Sequence, residues 1–513
     1  MSKSLLRSTS TVSLMTFISR ILGFIRDIVA AQVFGINASV DAFYLAFRIP
    51  NLLRNLFAEG AFSQAFVPVL SEYRHRNNDD ELRQFISHIA GALGVVLLII
   101  TIIGVICAPL IIKLFSPGLE PFRYHLASHM LRITFPYALL ICLTAFAGSV
   151  LNSFGRFGIA AINPALLNVA LIATAFGVTH YFKYPVEAQA WGVLLGGVIQ
   201  LLVMLPFLHN IGFLTLPRLN WQDEGVRRVL KLMLPAVLGA SVQQLNVLIN
   251  TIFASFLPIG SIGWLYYSER LAYFPLGVFG VALATVIMPH LSRQHAAKSS
   301  EAFAQTMDWG IRCNLLLGTP AVLAMALLAG PIIATLFHHG HFTDYDVMMT
   351  RRSTLAYAVG LQAFMLAKVL SSGFYAQQSI ATAVRITIIS LIANVIFSAI
   401  LMHPLAHAGL ALASSLSAWL NVILLTTILH KRNIYRFQSG WGVFLMRLGI
   451  ASFMLSLLLW QGSAEITNWL NWHWYEKFAH LFGLLFMGML IYLGCLWATG
   501  MRLHHLKVQG VNL

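Results

Sequence analysis

Two runs decide how this chain is read: Thr16-Phe-Ile-Ser-Arg-Ile-Leu-Gly-Phe-Ile-Arg-Asp27 and, further on, Asn51-Leu-Leu-Arg-Asn-Leu-Phe-Ala-Glu-Gly60. The segment from Thr16 to Gly60 reads as two membrane-spanning helices carrying Arg20, Arg26, Asp27, Asp41, Arg48, Arg54 and Glu59. Each mid-span arginine costs roughly 2.5–3.5 kcal/mol on insertion scales, so four of them facing lipid would cost on the order of 10–14 kcal/mol. The chain tolerates such charges only where they face a shared, water-filled interior. At about 100° per residue, Ser19, Arg20, Gly23, Arg26, Asp27 and Ala30 share one third of the first helix, and apolar residues cover the rest. In the second helix Asp41, Arg48, Asn51, Arg54, Asn55 and Glu59 share one face, and Pro50 predicts a kink. Polar and apolar faces separate cleanly, which disfavours four arginines that merely snorkel from helix ends.

Outward from this segment, composition sets the class. The chain has 513 residues, 58% hydrophobic and 10% charged, a balance that soluble domains do not show. The net charge of +15 does not require nucleic acid, because lysines and arginines confined to one set of loops give the same total. Cys107, Cys142, Cys313 and Cys495 lie in apolar segments and read as free thiols. The basic start ahead of an apolar stretch resembles a signal peptide, but Arg20, Arg26 and Asp27 interrupt it, so it reads as a retained first span.

Hydropathy windows predict an all-α polytopic membrane protein with fourteen spans: 11–35, 41–70, 86–114, 127–152, 159–182, 187–209, 229–257, 263–292, 306–336, 352–377, 381–402, 407–430, 440–461 and 476–499. With the N-terminus inside, inner segments hold eighteen of the 33 lysines and arginines and outer segments seven, Arg123 among them; the other eight lie within spans. Both termini are therefore expected in the cytoplasm. Trp221 to Lys231 reads as a short amphipathic helix on the inner surface, and Asp79-Asp80 as a solvated loop pair.

An internal repeat organises the spans. Phe62-Ser-Gln-Ala-Phe-Val-Pro68 aligns with Leu283-Ala-Thr-Val-Ile-Met-Pro289 at an offset of 221, and Ala108-Pro-Leu-Ile-Ile-Lys-Leu-Phe115 with Gly330-Pro-Ile-Ile-Ala-Thr-Leu-Phe337 at 222. Six spans separate equivalent positions, so both copies have the same orientation, related by an axis along the membrane normal. The expected organisation is an N-terminal lobe (1–217), a C-terminal lobe (218–437) and a final pair of spans with a tail (438–513), the two six-helix lobes being pseudo-symmetric around a central cavity. This fits alternating access, and by itself a channel as well.

Charge is unequal between lobes. Spans of the second lobe are nearly charge-free except for Glu269 and Arg270. Arg20, Arg26, Arg48, Arg54 and Arg270 outnumber Asp27, Asp41, Glu59 and Glu269, which are cast as charge-pairing or gating groups. Guanidinium forks match phosphate and carboxylate oxygens bidentately, so the excess predicts an anionic substrate, most simply a phosphate or diphosphate. Lesser candidates are Arg312 and Arg447, read as snorkelling near span ends, Lys368, which has no assigned role, and His338, His339 and His341, an outer cluster that makes a poor metal set. No phosphate-binding loop or nucleophile elbow appears, so neither a metal nor a cofactor is expected.

Ser19-Arg-Ile-Leu-Gly-Phe-Ile-Arg-Asp27, Asp41-Ala-Phe, Pro50-Asn-Leu-Leu-Arg54, Phe57-Ala-Glu-Gly-Ala-Phe-Ser-Gln-Ala-Phe-Val-Pro68 and Tyr266-Tyr-Ser-Glu-Arg270 resemble the MurJ (MviN) family of bacterial lipid II flippases. These belong to the multidrug/oligosaccharidyl-lipid/polysaccharide exporter superfamily, and the resemblance covers essentially the whole chain. It implies a transporter rather than an enzyme, in the bacterial inner membrane, moving undecaprenyl-diphosphate-linked disaccharide-pentapeptide to the outer leaflet for peptidoglycan synthesis. It also implies that Arg20, Arg26 and Arg270 engage the diphosphate, that Arg54 and Glu59 are further cavity positions, that Asp41 lies on the outer side, and that spans thirteen and fourteen form a lipid-tail groove. Some members hold sodium through acidic ligands in spans seven and eleven. Here those spans offer Gln243, Gln244, Asn246 and Asn394 without an acid, so membrane potential is the alternative driving force. The arginine chemistry alone leaves open another polyprenyl-diphosphate glycan as cargo, or an embedded lipid-diphosphate enzyme.

Overall fold

The structure, a computed structural model, describes residues 3–56, 62–75 and 78–502; for residues 3–11, 13 and 234–243 it describes the backbone alone. Every regular element among the described residues is helical. Two compact units divide the chain, Met1–Gly263 and Trp264–Leu513.

The first unit holds α1 (Lys3–Phe34), α2 (Ala38–Leu56), α3 (Phe62–His75), α4 (Asp79–Ile106), α5 (Ala108–Phe115), α6 (Pro121–Thr134), α7 (Tyr137–Ser153), α8 (Phe157–Gly177), α9 (Glu187–Asn210) and α10 (Glu224–Ser255). Local chemistry sets their ends. Asn78 caps α4 by accepting the Asp80 and Glu81 amides, and the acids that follow suit the positive helix start. Asp79 and Asp80 are thus first-turn residues, not a loop pair. Asp223 caps α10 through the Val226 amide. The expected amphipathic helix at 221–231 is therefore no separate element; from Glu224 on it is the beginning of α10. Pro109 and Pro136 sit where α4 gives way to α5 and α6 to α7. Phe62, Phe66, Phe85 and Phe146 build an aromatic core joining α3, α4 and α7. α10 packs on α2, α3 and α4. On α1, Phe17, Ile21 and Ile25 form an exposed apolar stripe at four-residue spacing, the pattern of a lipid-facing side.

The second unit takes most of α11 (Ser261–Pro275), then α12 (Val281–Ala296), α13 (Ser300–Leu327), α14 (Ala329–Leu336), α15 (Asp344–Ala376), α16 (Ile380–Lys431), α17 (Trp441–Gly462), α18 (Ile466–Asn471) and α19 (Trp474–Ala498). Between α11 and α12 the chain widens into a π-turn at Leu276–Gly280. Pro275, lacking an amide hydrogen and crowding the preceding turn, accounts for it. Thr343 and Asp346 form a capping box that starts α15. Ala406, at φ 48°, breaks α16 where two separate spans were expected. The core of this unit lies among α12, α13, α15 and α16, around Ile287, Met307, Val369 and Phe374.

Among the described residues ten helices are long and apolar enough to cross a membrane, one of them the interrupted α16. α1, α2 and α10 are outside that set. The chain is a multi-pass membrane protein. Helix lengths repeat as the motif pairs predict: α1 and α10 have 32 residues each, α4 and α13 have 28 each, α5 and α14 have 8 each. Starts at Lys3 and Glu224, at Asp79 and Ser300, and at Ala108 and Ala329 all differ by 221.

Candidate functional site

The charged residues of α1 and α2 take up separate stations in the first unit. On α1, Arg26 lies against its neighbour Asp27: Nε and Nη2 donate to Asp27 Oδ1 at 3.1 and 2.6 Å. Asp27 is buried at 3% exposure. Arg26 Nη1 donates to Asn168 Oδ1 on α8 at 3.0 Å, and Asn168 Nδ2 donates to the Ser19 carbonyl at 3.3 Å. Arg20, one and a half turns earlier, is exposed, and Ser19 is half-buried.

On α2, Arg48 donates to Thr251 Oγ1 of α10 at 2.7 Å, and Thr251 in turn donates to the Val247 carbonyl. Arg54 donates to Asn51 and Asn55 of its own helix at 3.0 and 3.1 Å. These amide and hydroxyl partners orient the guanidinium groups without cancelling their charge. Glu59 lies outside the described residues.

At the start of α2, Asp41 is fully buried. Its two oxygens accept the Gly260 and Gly263 amides at 2.7 and 2.9 Å. Arg123 of α6 stands 3.7 Å from the same carboxylate and 3.8 Å from Glu120, with Nη2 reaching the Leu257 carbonyl at 3.5 Å. Arg123, which the sequence marks only as an outer-side basic residue, is 2% exposed. Burying that guanidinium is tolerable because the Asp41 charge lies beside it.

In the second unit Arg270 is exposed and Glu269 half-buried on α11. Arg270 lies over the Tyr266 ring, 5.1 Å from its centroid, and donates to its hydroxyl at 3.2 Å. Arg312 is no snorkelling residue. Its Nε lies 2.7 Å from Asp308, its guanidinium lies over the Trp441 and Phe444 rings at 5.1 and 5.6 Å from their centroids, and Nη2 donates to the Ser439 carbonyl. Asp308 also accepts Tyr435 Oη and Trp441 Nε1, each at 2.7 Å. Burial, then the Asp308 contact, pushes the Tyr435 phenol above its usual range. His338 lies between Lys477 Nζ at 3.1 Å and Asp344 at 2.7 Å, a tie from α19 to the loop between α14 and α15. Lys368 is exposed on α15.

Sequence reasoning named the arginines and acids but not Asn168, Thr251 and Arg123, which the structure sets against Arg26, Arg48 and Asp41. One of two amides in the mostly apolar α8 was the available signal for Asn168; its partner was not readable across so many residues.

Comparison with known proteins gives the family. Residues 30–476 match the model of "Lipid II flippase MurJ". The chain is 45% identical to "Probable lipid II flippase MurJ" of Vibrio cholerae, covering 99% of this chain and 98% of that protein. A solved structure, "Lipid II flippase MurJ, inward closed conformation", is similar at a TM-score of 0.80 and 26% identity, covering 94% of this chain and 97% of the other. An inward-facing multidrug resistance transporter of the MATE family shares the fold alone, at a TM-score of 0.69 and 15% identity over 87% of this chain and 98% of its own. A near-complete family match, joined to the arginine-bearing α1 and α2, assigns this chain to the lipid II flippase MurJ family.

Proposed function

We infer that this protein flips lipid II, the undecaprenyl-diphosphate-linked peptidoglycan precursor, from the inner to the outer leaflet of the bacterial cytoplasmic membrane. The observation that carries this reading is family membership over essentially the whole chain. The polar face of α1 and α2 supplies the matching chemistry. A diphosphate brings negative charge into a low-dielectric region, and guanidinium groups are the side chains suited to receive it. Arg20, Arg26, Arg48, Arg54 and Arg270 are the proposed contacts. Asp27, Glu59 and Glu269 pair with or position them while the site is empty, and Asp41, which stands beside Arg123, is the proposed gating acid on the outer side. Ser19 offers a further hydroxyl. Binding of the diphosphate neutralises the arginines and favours closure on the inner side; release follows outside. The polyprenyl tail stays in lipid along α17 and α19.

Both termini lie in the cytoplasm in this reading, following the bias of basic residues. No cofactor takes part. Membrane potential supplies the drive, worth about 2.3 kcal/mol per elementary charge per 100 mV.

A leaflet assay tests the function. The host is depleted of the protein, and lipid II is probed with a reagent acting only from outside. Wild type should restore outside access and Arg54→Ala should not. Outside access that persists on depletion would refute the flippase reading; full restoration by Arg54→Ala would make Arg54 structural.

A further inference from the structure

We propose that Asn168 of α8 is a positioning residue for the lipid-diphosphate site, holding the Arg26 guanidinium in its working orientation. The inference rests on the proposed function and goes beyond it, by naming a residue that no charge pattern marks. α8 packs along α1, and Asn168 is 7% exposed there. Its Oδ1 accepts from Arg26 Nη1, while its Nδ2 donates to the Ser19 carbonyl. A cation on one end and a carbonyl on the other fix which way the amide faces. Gly23 lies directly beneath the amide: a Cβ there would stand 3.4 Å from Asn168 Nδ2, in ordinary contact.

Asp27 holds the guanidinium from the other side. Without Asn168, the guanidinium would lean further toward Asp27, its neutralising neighbour. Asn168 draws the opposite edge away without adding negative charge. A carboxylate at the same place would hold Arg26 as firmly but would oppose an incoming diphosphate. The neutral amide therefore suits an arginine that must be fixed in place yet remain attractive to an anion.

The test is the affinity of the purified full chain for lipid II, by native mass spectrometry or equilibrium binding, with melting temperature measured alongside. Loss of one hydrogen bond to a charged group corresponds to about tenfold to a hundredfold in equilibrium. Asn168→Leu should weaken binding by that factor. Placed in an Arg26→Lys background, the same change should add almost nothing, since the group it positions has gone; a purely structural residue would add its full loss in both backgrounds. Asn168→Asp, close in shape and still an acceptor for Arg26, gives up the donation to the Ser19 carbonyl; it should fold with a small loss of melting temperature and bind about tenfold more weakly. It keeps the test decisive if Asn168→Leu does not fold. Wild-type affinity in either Asn168 variant, or full additivity with Arg26→Lys, overturns the proposal. Wild-type affinity in Arg26→Ala would instead overturn the site on which it rests.

Discussion

α1 and α10 are equivalent helices of the two repeats, equal in length and 221 residues apart at both ends. Where α1 carries Arg20, Arg26 and Asp27, α10 carries Ser241, Val247 and Leu248. The same helix therefore forms with and without the charges, and neither its length nor its ends depend on them. Intramembrane charges that are unnecessary for the scaffold point to function.

Two further corners repeat with altered chemistry. α2 meets α6 through Asp41 and Arg123, whereas α11 meets α15 through Trp264, whose Nε1 donates to Asp346 at 2.9 Å. Asp41 and Trp264 are 223 apart, as are Arg123 and Asp346. Both corners use a buried carboxylate, but it comes from opposite sides. The straps that follow each repeat also correspond. Ser87 and Gly91 of α4 receive the first: Arg218 N donates to the Ser87 carbonyl, Ser87 Oγ donates to the Leu216 carbonyl, and the Arg218 backbone fills the space above Gly91. At 221 residues on, Asp308 and Arg312 receive the second, Arg312 reaching Ser439. One strap lies directly on backbone; the other is held off by a charged side chain.

The largest effect should separate α1 from α10. Arg26→Ala is expected to lower outside access of lipid II by about a hundredfold or more, while Val247→Ala, its counterpart, leaves the leaflet assay unchanged. Equal losses in both would erase the distinction.

The corners come next. Asp41→Ala leaves Arg123 buried with only the exposed Glu120 as counter-charge and should cost about 3–5 kcal/mol in denaturant unfolding. Trp264→Phe removes one donor from an Asp346 that still receives Thr343 N and Oγ1. That change should cost about 1–3 kcal/mol. The reverse order would show that the ion pair is not what closes the first corner.

For the straps, Gly91→Ala drives a methyl group into the Arg218 carbonyl and should cost about 1–3 kcal/mol. A neutral outcome, read from the melting temperature, would mean that the strap can lift without loss.

The smallest effect concerns pH. Burial, then the nearby Lys477 ammonium, lowers the His338 pKa below its ordinary value of 6.5. Asp344 opposes this and His339 is the other titratable neighbour. Since the folded value lies below the unfolded one, the tie between α19 and the α14–α15 loop is at full strength above about pH 6.5 and weakens as pH falls through the folded value. The corresponding turn of the first repeat has Ser116. Between pH 7.5 and 5.5 the wild type should lose more melting temperature than His338→Gln; equal losses would sink this reading.

Much of this was legible beforehand. Hydropathy marked an all-helical, multi-pass chain, and the 68/289 proline pair revealed a repeat whose helix lengths match between copies. The periodicity of α1 and α2 singled out the arginines. What escaped were contacts between distant segments. Arg123 reads as a solvent-side charge because nothing near it in sequence announces Asp41. Arg312 reads as snorkelling because Trp441 and Ser439 arrive over a hundred residues later. Asn168 is one of two amides on its helix until α8 is laid on α1. Short-range patterns fix helices and faces; the partner of a buried polar group depends on packing, which periodicity does not encode.

The membership of α10 has a consequence for biosynthesis. By the repeat it opens the second copy, yet it folds onto the first unit, supplying Thr251 to Arg48, while the turn beyond it supplies two amides to Asp41. Asp41 thus leaves the ribosome 222 residues before Gly263. At bacterial elongation rates of about 5–20 residues per second, that is on the order of ten to forty seconds. Through that interval the newly inserted α2 has Arg123 as its companion for only the later part. The first half of the transporter can close only when the second half has begun to be made.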